Sequence, residues 1–273
     1  MGEIRLSCYA APWGGEGAIK AITDIADCGF EGLEFPSGVV QRFEDRLHVF
    51  EEILDTTSLK LSGLLQSVNL VDKEKADEQV ERAANSARFA GATGQGNLIV
   101  CHSEPLAEAL DDDGWTTAAA IIEEIGFRCR DFGITLCFMP KARHLADTDR
   151  DIKRLLAMTN PEVVSLAVDT AELTLSDLDP AKIVKTHAGR LKSVRFRDVS
   201  GSKRRAEITS SRPGTAPQFG RGAVKFDAAS KALIDMKYDG WITVDISGES
   251  ASPKDAAAAG HRYLLRRSGL YPY

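Results

Sequence analysis

Eight times along its 273 residues the chain alternates a short β-rich run with a longer helical pattern. The runs are IRLSCY (4–9), EGLEF (31–35), LKLSGLLQ (59–66), NLIVCH (97–102), GITLCFM (133–139), VVSLAVD (163–169), LKSVRFR (191–197) and GWITVDI (240–246). Apolar residues at helical spacing follow each run, over 16–28, 43–57, 73–91, 115–131, 147–158, 179–188, 226–236 and 253–268. In the first of these Ala18, Ile22, Ile25 and Ala26 share a face, and Gly29 is placed to end the helix. Strands separated by helices pair in parallel through right-handed crossovers. Eight such units in a chain near the ~250 residues typical of a (β/α)8 barrel predict a single TIM-barrel domain over 1–273. A doubly wound sheet is the alternative, but the first strand is followed by AAPWGGEG, which does not match the G-x-G-x-x-G phosphate turn.

Composition narrows the class of partner. With 34 basic and 40 acidic residues the net charge is −6, which argues against a general binder of nucleic acid or anionic membrane. No stretch approaches the ~18 apolar residues of a membrane span. Glu3 and Arg5 interrupt any leader-like apolar run at the start, and Leu6 breaks a myristoylation pattern. Five cysteines without a C-x-x-C pair suggest buried thiols in a reducing, cytoplasmic setting rather than a disulfide framework or zinc knuckle. The one long connection, 199–222, is Ser/Gly-rich and basic and is a candidate lid. The C-terminal GHRYLLRRSGLYPY ends in aromatic residues that would suit either the barrel bottom or a homodimer contact.

Barrels of this kind carry their chemistry at the C-terminal ends of the strands. Period-two alternation puts Glu34 inward on the second strand, Ser193, Arg195 and Arg197 on the seventh, and Thr243 and Asp245 on the eighth. Gln66, His102, Cys137 with Met139, and Asp169 close the third, fourth, fifth and sixth. The expected ring is therefore Glu34, Gln66, His102, Cys137, Asp169, Arg195 and Asp245. A buried thiol without an identified base is usually inert, so Cys137 is read as lining rather than nucleophile. Trp13, at the exit of the first strand, is a candidate pocket wall. Lys141, Arg143, Lys203, Arg204, Arg205, Arg212 and Arg221 lie on loops of the same side, a basic rim that suggests an anionic small-molecule substrate.

At these residues the chain resembles the sugar phosphate isomerase/epimerase family, the xylose-isomerase-like barrels that include inosose dehydratases and ketose epimerases. The resemblance spans nearly the whole chain. CGFEGLEF (28–35) is similar to G-[YF]-[DE]-G-[VIL]-E, and VSLAVDTAEL (164–173) to V-G-L-x-L-D-T-G-H. LKSVRFRDV (191–199), FGRGAVKF (219–226) and YDGWITVDI (238–246) are similar to V-H-L-K-D, L-G-E-G-x-V-D-F and Y-D-G-W-I-x-V-E. The resemblance implies a divalent metal held by Glu, Asp, His and Glu at the ends of strands five to eight. Here those positions are Cys137, Asp169, Arg195 and Asp245, and the histidine of D-T-G-H is Glu172.

Only Asp169 matches that set, with Asp245 as a shortened carboxylate. Arginine has no lone pair to give a metal and repels a cation, yet its guanidinium can itself supply positive charge. Arg195 is thus expected to contact Asp169 or Asp245 and to replace the metal, leaving no cofactor. The alternative is a Mn or Mg ion relocated to Asp169, Glu172 and Asp245 with His102 or His144. The expected function is acid–base chemistry beside a carbonyl: isomerisation, epimerisation or dehydration. Glu34, Asp169, Glu172, Asp245 and His102 are the candidate acids and bases and Arg195 the oxyanion stabiliser. Gln66, Cys137, Met139, Lys141, Arg197, Trp13 and Arg221 are the candidate substrate contacts. A metal-dependent isomerase with substituted ligands and a barrel that binds without catalysis are the competing readings.

Overall fold

In the computed structural model, which describes residues 2–94, 96–200, 216–249, 251–267 and 270, eight parallel strands close into one barrel in chain order, β8 returning to pair with β1. They are β1 (Ile4–Tyr9), β2 (Gly32–Pro36), β3 (Lys60–Val68), β4 (Asn97–His102), β5 (Thr135–Phe138), β6 (Val164–Asp169), β7 (Leu191–Arg197) and β8 (Gly240–Asp245). The intervening helices are α1 (Ala18–Asp27), α2 (Val39–Phe43), α3 (Leu47–Thr57), α4 (Ala76–Ala92), α5 (Asp112–Asp131), α6 (Asp149–Met158), α7 (Thr170–Leu175), α8 (Pro180–Thr186), α9 (Phe226–Asp235) and α10 (Pro253–Arg267). The expected eight-unit barrel is the fold observed. A doubly wound sheet is excluded by the β1–β8 pairing.

Local chemistry accounts for most helix ends. Asp111 accepts the Gly114 N–H at 2.8 Å to start α5, whose first turn carries Asp112 and Asp113 and whose last carries Arg128 and Arg130, matching the helix dipole. Thr148 likewise caps α6 through the Asp151 N–H. Past α1, Gly29 takes φ +88°, as a left-handed helix terminus requires.

Of the expected helix 43–57 only 47–57 is α-helical, as α3; Glu44–Arg46 form a 3-10 turn, and Phe43 ends the separate α2. The aromatic core explains the break. In a continuous helix Phe43 and Phe50 would be separated by roughly 10 Å along the axis. The turn brings their rings to 5.1 Å, and Phe50 also meets Phe35 at 6.0 Å and Phe89 at 5.2 Å.

Two apolar layers result. The main core fills the space between strands and helices. A smaller inner cluster of Ile99, Cys101, Cys137, Met139 and Ala167, with Leu65 against it, plugs the barrel beneath its mouth. All five cysteines are free thiols, Cys28 half-buried and the other four buried. Among the described residues no helix is long and apolar enough to cross a membrane.

Candidate active site

A cavity of about 290 Å3 opens at the C-terminal ends of the strands. Its wall includes Tyr9, Ser67, Cys101, Met139, Lys141, Asp169, Glu172, Arg195, Arg197, Asp245 and Ser247. That volume is at the lower end for small-molecule sites.

The polar floor is a charge-paired cluster. Register sets it: Asp169 on β6 lies beside Arg195 on β7, and Arg197, one pleat further, lies beside Asp245 on β8. Arg195 is fully enclosed. Its Nη2 donates to Glu34 and its Nη1 approaches Asp245 at 3.4 Å, while its guanidinium lies 4.1 Å from the Tyr9 ring centre. Its Nε is buried and finds no acceptor. Glu34 in turn accepts from the Thr243 hydroxyl at 3.1 Å, and Thr243 shares a hydrogen bond with Ser7 at 2.7 Å. Arg197 makes the second pair, with Nε 3.2 Å from Asp169 and Nη2 donating to Glu172.

Asp169 does double duty, because it also caps α7. Its Oδ1 accepts the N–H groups of Ala171 and Glu172 at 2.8 and 3.0 Å. Burial nevertheless pushes its carboxyl up to about 7, opposed by Arg197 and reinforced by Glu172 and Asp245. Burial lowers the pKa of Arg195, against Asp245 and Tyr9. Arg197 is pulled down by burial but held further up by Asp169, Glu172 and Asp245. Burial also carries the Tyr9 hydroxyl to about 12.

Arg195 meets Asp245 as expected, and it takes Glu34 rather than Asp169 as its second partner. Glu34 lies beneath Arg195 and does not reach the cavity wall. Met139, Lys141, Arg197 and Glu172 line the cavity. Cys137 sits lower, in the inner apolar layer, because its register sets it level with Ile99 and Ser165, one pleat below Met139.

Gln66 and His102 point the other way. β3 runs on to Val68, and its register against β2 shifts between Leu33 and Glu34, so Gly63 sits beside Glu34. Leu65 and Ser67 therefore face the cavity, and Gln66 accepts from Ser86 of α4 at 2.7 Å. On β4 the inward residues are Ile99 and Cys101. His102 faces outward, where its Nδ1 accepts the Leu70 N–H at 3.1 Å, and burial lowers it to about 4.

Trp13 is a packing residue, its Nε1 donating to Asp24 of α1 at 2.8 Å. Arg221 is exposed and off the cavity wall, because its segment is wrapped around Asp198. Of the 199–222 connection, residues 201–215 lie outside the described residues, and with them the lid expectation and Lys203, Arg204, Arg205 and Arg212.

Sequence reasoning missed Tyr9, Ser67, Cys101 and Ser247. Tyr9, Ser67 and Cys101 were findable once the parity of their strands was known. It also missed Asp198, the residue after β7, whose carboxylate accepts four backbone N–H groups: Val199 and Val224 on Oδ1, Gly220 and Gly222 on Oδ2, at 2.8 to 3.2 Å. A Cβ on Gly222 would stand 2.2 Å from Asp198 Oδ1, so only glycine admits the wrap.

The positions at which the resemblance puts a divalent metal do not fit one. Two of the four cannot serve: Cys137 lies below the cavity in the inner apolar layer, and Arg195 carries positive charge and occupies the space between Glu34 and Asp245. The relocated set fails too, since His102 points outward and Glu172 is held by Arg197 and the Ala142 N–H. Among the described residues no three His, Cys, Asp or Glu side chains come together as a metal-ion site.

A family model described as xylose isomerase-like TIM barrel matches residues 22–267. An inosose dehydratase of Lacticaseibacillus casei is 27% identical over 267 residues, covering 90% of this chain and 88% of the relative. That of Clostridium beijerinckii is 23% identical over 271 residues, covering 92% and 90%. A probable 3-DHS dehydratase from Bacillus anthracis superposes with a TM-score of 0.84 at 14% identity, covering 96% of this chain and 99% of that one. A 3-keto-D-glucoside 4-epimerase from E. coli superposes with a TM-score of 0.78 at 14% identity, covering 97% and 99%.

Proposed function

The chain belongs to the xylose isomerase-like TIM barrel family and is an enzyme of that superfamily, and we propose that it moves a proton beside a carbonyl of a small polyhydroxylated, anionic substrate without a divalent metal. The observation that carries this reading is Arg195, buried between Glu34 and Asp245 in the wall that also holds Asp169.

The division of labour follows from the contacts. Asp169, with a pKa of about 7, is near the balance that suits a group both taking and returning a proton at neutral pH. It is the proposed base toward the carbon next to the carbonyl. Negative charge then develops on the carbonyl oxygen. Arg195, with an N–H that has no acceptor, is the proposed stabiliser of that oxygen, held rigid by Glu34, Asp245 and Tyr9. The proton can return to carbon, which gives epimerisation or isomerisation. It can instead go to a hydroxyl on the neighbouring carbon, which leaves as water and gives dehydration. The dehydratase relatives support the second outcome. Glu172 positions Arg197 and, through the Ala142 N–H, the loop that carries Lys141.

The test is solvent-deuterium incorporation into inososes, ketohexoses and 3-dehydroshikimate, read by NMR on enzyme stripped with a chelator. Exchange or water loss that survives chelation and disappears in Asp169→Asn is the expected result. One tight metal per chain in untreated enzyme, with exchange abolished by chelation, would overturn the metal-free reading. An Arg195→His variant measured alongside should gain affinity for Mn or Mg if arginine holds the cation's place.

A further inference from the structure

We propose that the cavity contains a carboxylate subsite built on Lys141, so that the substrate of the acid–base reaction proposed above is a monocarboxylated polyol rather than a neutral or phosphorylated sugar. In the cavity wall and beneath it, every carboxylate is already engaged. Glu34 is taken by Arg195 and Thr243, and Asp245 by Arg195 and the Ser247 N–H. Asp169 is taken by Arg197 and two backbone N–H groups. Glu172 is taken by Arg197 through one oxygen and by the Ala142 N–H through the other. Both arginines are likewise paired.

Lys141 alone among the cations of the wall makes no ion pair or side-chain hydrogen bond with a described residue, although it is half-buried and lines the cavity. The carboxylates that share its surroundings, Glu172 and Asp169, are already held by Arg197, and Glu172 by the Ala142 N–H as well. Cys101 is kept as a thiol by burial, and His102 and His144 are kept neutral by burial. An ammonium half removed from water without a counter-charge is costly unless a ligand brings one.

The loop also holds Lys141 in place. Ala142 N–H is bound by Glu172, Arg143 N–H by Asp147 at 3.0 Å, and Arg143 C=O by the Leu106 N–H at 3.0 Å. Arg143 and Ala146 take φ of +66° and +62°, a conformation that residues with a Cβ hold only when the surroundings fix it. One unpaired ammonium matches one carboxylate. A phosphate dianion would call for a further cation beside Lys141, and both arginines of the wall are already paired with carboxylates.

Quinate and myo-inositol are suitable probes, both cyclohexane polyols without a reactive carbonyl, only the first carrying a carboxylate. Calorimetric titration of the full chain should show quinate binding about 10- to 100-fold tighter than myo-inositol, the range expected of one charge-assisted hydrogen bond. Lys141→Met should remove that margin, and Lys141→Arg should restore most of it. Quinate that binds no tighter than myo-inositol, or as tightly to Lys141→Met as to the native chain, overturns the subsite. Because neither probe reacts, the outcome is separate from the chemistry: selective quinate binding by a protein that exchanges no proton leaves the subsite standing and removes the catalytic reading.

Discussion

Asp169 and Asp198 stand at the ends of neighbouring strands, both buried, and the molecule treats them oppositely. Asp198 is surrounded by backbone: four N–H groups share its two oxygens, and no side-chain cation of a described residue is paired with it. Its charge is spread over donors that cannot move without unfolding the wrap. Asp169 has two such donors, and its remaining oxygen faces a side-chain partner, Arg197, in a cavity it shares with Glu172 and Asp245. Its carboxyl is pushed up toward neutrality by burial. The comparison separates a carboxylate used as a fastener from one placed where its proton can be exchanged.

The sharpest way to break the comparison is to neutralise Asp169. Asp169→Asn keeps the α7 cap acceptor but loses the proton-transfer group, so turnover should fall about 10²- to 10⁴-fold in the deuterium-exchange assay. Next in size is Arg195→Met. It strands Glu34 and Asp245 in the barrel without their cation, and urea unfolding should show a loss of about 3–5 kcal/mol. Asp198→Ala leaves four N–H groups without their acceptor, and the same assay should register about 2–3 kcal/mol. Gly222→Ala should destabilise in the same direction through its clash with Asp198.

Asp169 also sets a pH response. As a base Asp169 must be ionised, so kcat/KM should rise as pH increases through about 7 and level off above it. Its effect on stability has the opposite sign. The folded protein holds the Asp169 proton more tightly than the unfolded chain, whose carboxyl titrates near 3.8. That contribution is full below about 4 and is lost as pH rises to about 7, and Asp169→Asn should flatten this part of the stability curve. The smallest expected effect is at Gln66, where Gln66→Ala should cost about 1 kcal/mol through Ser86 and leave turnover within about twofold.

The barrel was legible because eight alternating units close in only a few ways, and because burial requires the two periodicities to be written into the chain. Asp169, Arg195 and Asp245 were legible for the same reason: they end strands whose flanking residues alternate cleanly. Gln66 and His102 misled because a strand's last residue is visible in sequence but its parity is not. A single register shift at Leu33/Glu34 and two further residues of β3 moved the cavity face from Gln66 to Leu65 and Ser67. The partners of the two arginines depend on side-chain reach across three strands, which no local pattern encodes. Asp198 escaped notice because three of its four donors come from backbone more than twenty residues away, and backbone carries no letter in the sequence.

That same wrap has a consequence for how the chain tolerates change. Asp198 ties the end of β7 to Gly220 and Gly222, so the intervening stretch leaves and re-enters the barrel at one carboxylate. The entropy of closing such a stretch grows only logarithmically with its length, about 0.6 kcal/mol for each doubling. A change in the length of chain between these two moorings therefore costs little closure entropy, and the strand ends beside them keep their spacing.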